Sequence, residues 1–557
     1  MSSSKVSKYG FFIIILTVIF LVYSVASTSV LWIEPTDLGL ASKLPLTYWI
    51  GLFFLGCLWY IGRESKYCLI TALVLTVSYL YVAPAIIRVP PWISNSYYPF
   101  GESVLINSTG HLVDRPLAGL TSYLDWPIFL YFASVFTLIT GIPHSILIKC
   151  FPLLTVLMYG LLTFLILRSK LRLSYSIFGV GWLLSSFFIR QHYFGPQGIA
   201  YIFFLLIFLI ISWLFFNEKT NQRTLMALLI FLFLLTTFTH PLSSFMSLVL
   251  MAALYLTYRL ILKKSSTIIT RLFFASATIW FGYNVYFVTG FFNASIRHLY
   301  EILLGTRELG LYAEPSRIIG SKAMQINFMS SWGIVLLSGL IALLSILQII
   351  KNVRIGQIKK TPSMGYSFFN VIVLIMLGLF AFAGEYGAHE AYQRAFMFGL
   401  VPLSYLCIIL LARKPKILIL ILVGLLFVNV PAQYGGDTYR LATDNQLSGT
   451  AFMADYTPQD IYLIGKFSLY IRYHNPLKRY TILSIGVFPY TSVPNSSVVN
   501  EALNKADYVM LSSLEDNYYM FFIGFNPLEQ VNFEKCNRIY DNWRFRTLEP
   551  TNITSPS

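Results

Sequence analysis

Charged residues are scarce in this sequence of 557 residues: they make up 11% of the chain, whereas soluble domains average about 25%. Instead, 56% of the residues are hydrophobic, and apolar runs of roughly 17–25 residues recur along most of the chain. This composition excludes an ordinary soluble enzyme and indicates a polytopic α-helical membrane protein. Cysteine is also scarce. Of the five cysteines only Cys536 lies in the polar C-terminal region, so that region has no partner for an internal disulfide, and no cysteine spacing matches a metal motif.

The apolar runs predict about thirteen transmembrane helices, each long enough to cross a bilayer core of about 30 Å. We place them near residues 11–33, 46–62, 68–87, 145–167, 174–190, 197–216, 224–239, 244–262, 272–290, 332–350, 367–384, 395–412 and 417–431.

Acidic residues are fewer than basic ones, 24 against 40, which gives a net charge of +16. With a cytoplasmic N-terminus, the predicted cytoplasmic loops are rich in Lys and Arg and have only Glu64 and Glu218 as acidic residues, whereas the opposite face has a near balance of signs, as the positive-inside rule requires. The charge is therefore accounted for by topology and needs no nucleic-acid partner. The predicted location is the plasma membrane, with multiple passes, a cytoplasmic N-terminus and an extracytoplasmic C-terminal region.

The apolar segment 125–141 decides this topology, because a crossing there would turn every later basic loop outward. We predict that residues 126–141 instead form a juxtamembrane helix on the outer surface, within an external loop at 88–144. The predicted division of the chain is a transmembrane domain at 1–431 and an extracytoplasmic domain at 432–557.

The C-terminal domain is predicted to be a small α/β unit. "YTILSIGV" (480–487) and "ADYVMLSS" (506–513) have the pattern of short buried strands, and a helical stretch near 497–505 lies between them. "RIYDNWRFRTL" (538–548) has the pattern of a hairpin with Asp541-Asn542 at its turn. "TPQD" (457–460) predicts a helix start, with Thr457 as the N-cap.

The sequence lacks a glycine-rich phosphate loop, a Ser–His–Asp set and a zinc motif. Ionisable residues collect instead in the loops predicted to be external. Ionisable side chains are costly at the edge of a bilayer, so their presence there indicates a function or an ion pair. The candidate catalytic carboxylates are Glu102, Asp114 and Asp125. The candidate residues for binding the substrate and the donor phosphate are His192, Tyr193, Gln197, His240 and Arg394.

Carboxylates, histidines and an arginine beside an apolar wall suit a lipid-linked phosphate donor. Arg394 would hold the phosphate. A carboxylate would act as general base on the acceptor hydroxyl or would coordinate a divalent ion such as Mg²⁺ or Mn²⁺. In "FTHPLSS" (238–244), Pro241 would break the helix and His240 would face the cavity.

Several segments resemble those of GT-C glycosyltransferases, the multi-span enzymes that use polyprenyl-phosphate-linked sugars and that include the protein O-mannosyltransferases and the oligosaccharyltransferases. The loop segment "SYYPFGESVLINSTGHL" and the juxtamembrane segment "DWPIFLYFASVFTLITGIP" resemble theirs, and "FGPQG" and "THPLSS" resemble the short joints of archaeal members. "ADYVMLSS" with "RIYDNW" is similar to their small C-terminal domain.

The resemblance implies a GT-C fold and transfer of a sugar, with inversion at the sugar carbon, from a polyprenyl-phosphate donor to an acceptor on the outer face. The chain departs from the family in two ways. Ser94, Asn95 and Ser96 replace an expected acid, so the nearest acid is Glu102, and there is no Trp-Trp-Asp signature, which argues against transfer to peptide sequons. Glu34 or Asp37 could also supply the acid. The alternatives left open are a polysaccharide polymerase or ligase, a transporter or lipid flippase, and a relative without activity.

Overall fold

A computed structural model describes most of the chain. The described residues are 3–30, 33–34, 37–88, 96–112, 124–189, 192–216, 222–261, 263–264, 266–304, 321–354, 364–382, 391–437, 443–465, 471, 474–475, 480–483, 496–513, 516, 536–542 and 545–550.

Helices dominate these residues. They are α1 (Ser3–Ala26), α2 (Leu46–Ile61), α3 (Lys66–Ile87), α4 (Tyr97–Thr109), α5 (Ile128–Thr140), α6 (His144–Arg168), α7 (Leu173–Ser186), α8 (Pro196–Phe216), α9 (Gln222–Thr239), α10 (Pro241–Leu256), α11 (Thr267–Tyr286), α12 (Thr289–Leu303), α13 (Lys322–Arg354), α14 (Met364–Phe382), α15 (Ala391–Leu411), α16 (Pro415–Tyr434), α17 (Asp444–Tyr456) and α18 (Ser496–Lys505).

Within the described ranges, nine helices are long and apolar enough to cross a membrane. A polytopic helical architecture is thus established, while the count of thirteen spans stays a prediction. Some predicted boundaries are wrong. The first helix ends at Ala26 rather than at residue 33, and α13 starts at Lys322, ten residues before the predicted span. Hydrophobicity marks the part of a helix that lies in lipid, but capping and packing decide where the helix itself begins and ends.

Helix α5 lies inside the segment that decides the topology. It has 13 residues, which at ~1.5 Å per residue gives about 20 Å, less than a bilayer core. It packs along α4, and Phe129 of α5 contacts Phe151 of α6 and Phe194. The predicted helix is confirmed; its position on the outer leaflet stays a prediction.

Tyrosine hydroxyls tie helices together inside the bundle. Helix α3 contains one π-helical turn, Ser78–Val82, and such turns leave carbonyl groups that need other donors. The hydroxyl of Tyr48 donates to the carbonyl of Tyr79, and that of Tyr434 donates to the carbonyl of Leu80. The π turn therefore joins the ends of α2, α3 and α16.

A buried ion pair closes the same region. Arg88, directly after α3, pairs with Asp437, just beyond α16, and neither side chain is exposed. The guanidinium carbon of Arg88 also lies 4.8 Å from the centre of the Tyr434 ring. The pair therefore connects the end of α3 to the chain that leads from α16 to the C-terminal sheet.

Removing one partner of this pair should destabilise the protein strongly. We expect Arg88→Ala or Asp437→Ala alone to cost about 3–5 kcal/mol of unfolding free energy, because each leaves an uncompensated buried charge. The double variant Arg88→Met/Asp437→Leu should lie close to the native protein, since both charges are gone. Denaturant titration in detergent micelles measures this difference, and equal losses in the single and double variants would contradict it.

A five-stranded sheet follows the last apolar helix. Its strands are β1 (Ile461–Ile464), β2 (Tyr480–Ile482), β3 (Tyr508–Ser512), β4 (Cys536–Asp541) and β5 (Phe545–Pro550), in the order β2-β1-β3-β5-β4. The parallel strands β2 and β3, with α18 between them, form the predicted β–α–β unit, with β1 inserted in the sheet. The antiparallel pair β4–β5 confirms the hairpin. The domain boundary at 431/432 stays a prediction.

The prediction of a helix at "TPQD" is wrong. The Thr457 hydroxyl donates to the carbonyl of Met453, so this threonine closes α17 instead of opening a new helix. Strand β1 begins four residues later, at Ile461. The actual helix start is the capping box of Thr443 and Gln446, whose residues satisfy each other's backbone amides.

Candidate functional site

The segment between α7 and α8 turns within the bundle and is held by donors from other helices. Backbone carbonyls of this segment and of the adjoining helix ends accept hydrogen bonds from four side chains: Tyr81 donates to Leu184 and Phe187, Thr155 to His192, Tyr159 to Gly198, and Asn429 to Ser185. A broken helix in an apolar bundle needs such donors, because lipid supplies none. This segment carries three candidate residues, His192, Tyr193 and Gln197.

His192 and Gln197 are deeply buried, with 1% and 3% of their surface exposed. The His192 ring packs edge-on to Tyr81 at 5.5 Å between centroids. The Tyr193 ring lies so close to Gly195 that a β-carbon there would come within 2.6 Å of it, which explains the glycine in "FGPQG". Neither amide atom of Gln197 has a hydrogen-bond partner among the described residues. A buried amide without partners is costly, and a polar ligand would relieve that cost.

His240 forms the joint between α9 and α10. Its Nδ1 atom accepts a hydrogen bond from the backbone amide of Ser243, and Pro241 follows as the first residue of α10. Because Nδ1 is the acceptor, the proton of the neutral ring lies on Nε2. Ser243 and Ser244 lie in the first turn of α10. The Ser244 hydroxyl donates to the carbonyl of Pro241.

Arg394 lies in the first turn of α15, close to the starts of two other helices. The Tyr201 hydroxyl, in the second turn of α8, donates to the carbonyl of Met397 at 3.0 Å, which places the N-termini of α8 and α15 side by side. Helix α10 packs against α8, and the charge of Arg394 acts on His240. The N-termini of α8 and α15 therefore lie side by side near Arg394, and the partial positive charge of helix N-termini favours an anion.

An apolar groove begins one residue beyond Arg394. It lies between α13, α14 and α15 and is partly open to the surroundings. The lining residues are Val335, Ser338, Gly339 and Ala342 of α13, Val373 and Met376 of α14, and Ala395, Phe396, Gly399 and Leu403 of α15.

Glu102 is buried in the middle of α4, with 3% of its surface exposed. Phe100 shares a small hydrophobic core with Phe129, Phe151 and Phe194. Since Phe194 lies two residues after His192, this core attaches the helix of Glu102 to the segment that carries His192 and Gln197. A buried carboxylate beside the site has the chemistry of a general base.

Asp125 lies on the side of His240. The Tyr283 hydroxyl of α11 donates to the backbone carbonyl of Asp125. The Tyr283 ring also packs against Phe238, two residues before His240, at 4.6 Å between centroids. The carboxylate of Asp125 is partly exposed, which distinguishes it from Glu102.

The structure describes seven of the eight candidates, and Asp114 lies outside the described residues. That the seven form one site stays a prediction. In the part of the chain that is described, no three histidine, cysteine, aspartate or glutamate side chains come together as metal ligands. Sequence reasoning missed Tyr201 and the groove. Tyr201 looks like one more aromatic residue of an apolar run, and the groove is formed by helices from separate parts of the chain.

His240 predicts a pH dependence of stability. Burial, and then the charge of Arg394, lower its pKa well below the ordinary value of 6.5. The unfolded chain therefore binds a proton that the folded protein does not, and stability is lost as pH falls below about 6.5, by at most ~1.4 kcal/mol per pH unit. We expect His240→Asn, which keeps a capping side chain, to flatten this loss. Thermal unfolding midpoints between pH 7.5 and 5.5 test it, and an unchanged acid slope would contradict it.

No protein-family model matches the sequence, and no curated protein matches it significantly. Among solved structures, the chain resembles the oligosaccharyltransferase of Archaeoglobus fulgidus in complex with Zn and sulfate, with a TM-score of 0.50, 13% identity, and coverage of 83% of this chain and 70% of that one. It also resembles ArnT from Cupriavidus metallidurans bound to undecaprenyl phosphate, with a TM-score of 0.38, 12% identity, and coverage of 83% and 94%. At such identities the likeness concerns the fold.

Proposed function

We propose that this chain, which has the GT-C fold of these glycosyltransferases, transfers a sugar from a polyprenyl-phosphate donor to an acceptor on the extracytoplasmic face. The N-terminus would be cytoplasmic, by the distribution of basic loop residues. The plasma membrane is the proposed location, and the donor lipid is the proposed partner.

One observation carries this proposal: Arg394 directly precedes Ala395 and Phe396, which line an apolar groove. A polyprenyl phosphate has one anionic group on a long apolar chain. Arg394 and the N-termini of α8 and α15 suit the phosphate. The groove runs along α15 from Ala395 to Leu403, about 12 Å at ~1.5 Å per residue, and suits the first isoprene units.

In the proposed inverting transfer, each candidate residue has a separate role. Glu102 takes the proton of the acceptor hydroxyl as its oxygen forms a bond to the anomeric carbon. The bond from that carbon to the phosphate oxygen breaks, and its electron pair leaves with the polyprenyl phosphate. Arg394 and the Nε2 proton of His240 stabilise the charge that develops there. The Gln197 amide, buried without a partner among the described residues, binds a hydroxyl group of the sugar.

Asp125 and Tyr193 have supporting roles in this proposal. Asp125, held by Tyr283, would orient the acceptor, and Tyr193 would cover the sugar. A divalent ion stays a prediction: the described residues do not assemble a set of ligands for it, and Asp114 lies outside them. No step above passes through a metal.

Filling the groove tests the proposal. A β-carbon at Gly399 would meet only ordinary contacts, at 3.7 Å or more, so Gly399→Phe should fold while its ring occupies the groove. Excluding two CH₂ groups of the tail costs roughly 1.6 kcal/mol, so KM for the polyprenyl donor should rise at least about tenfold. A donor with a tail too short to enter the groove should be affected little.

The matched control is Gly424→Phe, at an exposed glycine of α16 where a β-carbon meets nothing within 4 Å. Membranes with a labelled polyprenyl-phosphate sugar provide the assay. Unchanged KM in Gly399→Phe, or an equal effect in both variants, would count against a lipid tail in this groove. Absence of any transfer by the native protein to a panel of membrane acceptors would count against the glycosyltransferase itself.

A further inference from the structure

Helix α12 exposes a row of apolar side chains that the proposed transfer does not use. Ile296, Tyr300 and Leu304 follow one another at intervals of four residues, so they share one side of the helix. Their exposed fractions are 50%, 60% and 58%. Large apolar side chains exposed together on one helix face indicate an interaction surface.

The same helix is unsuited to crossing the membrane. It has 15 residues, about 22 Å at ~1.5 Å per residue, and the bilayer core is thicker. Its middle carries Arg297 and Glu301, which pair at 3.0 Å, with 82% of the arginine side chain exposed. These charges lie about 100° around the helix from Ile296 and Tyr300. The helix is therefore amphipathic, with its charged flank beside its apolar row.

The position of α12 indicates what covers the apolar row. The chain turns between α11 and α12, so that Phe292 packs back on Trp280 and Phe281, at 6.3 and 6.5 Å between ring centroids. The end of α11 is itself an apolar surface, since Tyr286 and Phe287 are largely exposed. The row on α12 continues this surface, and aromatic side chains at that level favour the interface of a bilayer.

We propose that α12 lies in the plane of the membrane interface, with Ile296, Tyr300 and Leu304 inserted among the lipid acyl chains and Arg297 at the headgroups. Among the side chains that the structure describes, one positive and one negative lie on the flank, so the apolar insertion, rather than anionic lipid, provides the binding. The position of α12 in the membrane interface is also connected to the region of Asp125. Val288, directly before α12, packs with Trp126 and Tyr283, so the lipid-seated helix starts at the contact that holds Asp125–Trp126.

Spin labels test this seating directly. Single cysteines are placed at 296, 300 and, as the matched control, 297, in the full-length chain with its five native cysteines replaced by alanine and its thermal unfolding midpoint retained. In phosphatidylcholine vesicles, the labels at 296 and 300 should collide with lipid-soluble oxygen more than with water-soluble nickel chelate, at depths of about 5–10 Å. The label at 297 should show the reverse preference.

Two results would overturn the proposal. If the labels at 296 and 300 are as accessible to the nickel chelate as the label at 297, the row faces water. If they are shielded from both reagents, another protein surface covers the row, for example a second copy of this chain. The two apolar positions are read separately, so a folding failure in one leaves the other decisive, and neither readout depends on transferase activity.

Discussion

Replacing Arg394 by alanine is expected to weaken binding of the polyprenyl-phosphate donor by at least about 30-fold, since truncating one member of a buried charge pair costs about 2–5 kcal/mol. The positive charge of Arg394 contributes to the lowered pKa of His240, after burial, and Arg394 directly precedes the residues that line the apolar groove. Without it, the phosphate would have only helix dipoles and neutral donors, which are each worth much less. Both the donor affinity and kcat should fall, because charge on the phosphate grows as the sugar leaves.

The measurement is the Kd for a labelled polyprenyl phosphate in detergent, together with transfer rates in membranes. Arg413→Ala is the matched control, as it makes the same change at the other end of α15. Arg394→Lys should recover part of the affinity but not the geometry of two parallel hydrogen bonds. Native affinity in Arg394→Ala, or an equal loss in Arg413→Ala, would remove the phosphate site from this position.

Residues that punctuate helices could be predicted from sequence alone. Pro241 and the polar residues around it predicted the break between α9 and α10, and the structure has that break with His240 as the cap. The shortness of the apolar segment 126–141 predicted a short helix on the outer surface; the structure has a 13-residue helix there, α5, and its position relative to the membrane stays a prediction. Both signals are local, since they depend on proline chemistry and on helix length.

Long-range pairings could not be predicted. Arg88 and Asp437 are 349 residues apart in the chain, and each alone looks like an ordinary loop charge. The link from Tyr201 to Met397 brings the start of α8 to Arg394 over 196 residues. Sequence periodicity shows which face of a helix is apolar, but in a chain that is apolar on nearly every face it does not show which helices are neighbours.

The same limit applies to the carboxylates. Their number and their place in the long loop were visible, but their burial was not. Glu102 lies in the part of α4 that is mostly buried, from Tyr97 to Ile106, because α4 packs on α5 and shares a core with Phe194. Asp125 lies at a turn and stays partly exposed. This difference, which only the packing of α4 and α5 reveals, is the reason to assign the proton transfer to Glu102.

Glu102→Gln is expected to lower kcat by about 10²–10⁴-fold, the range that a positioned general base contributes. Glutamine keeps the size and most of the hydrogen bonding of glutamate, so α4 should keep its packing and donor affinity should stay native. The amide cannot accept the proton of the acceptor hydroxyl, so only the chemical step is lost. Single-turnover transfer from bound donor separates this loss from product release.

The comparison that decides between the carboxylates is Asp125→Asn beside Glu102→Gln, with Glu64→Gln as the matched control. Glu64 follows the C-terminus of α2 and is largely exposed. Among the described residues it pairs only with Arg63. If Glu102 is the base, Glu102→Gln should lose kcat. Asp125→Asn should then raise the acceptor KM and change kcat less. If Asp125→Asn instead abolishes the chemical step and Glu102→Gln does not, the proton goes to the exposed carboxylate beside Tyr283, and burial of Glu102 serves only the packing of α4. Because both variants keep Arg394 and the groove intact, either outcome leaves the donor site testable on its own.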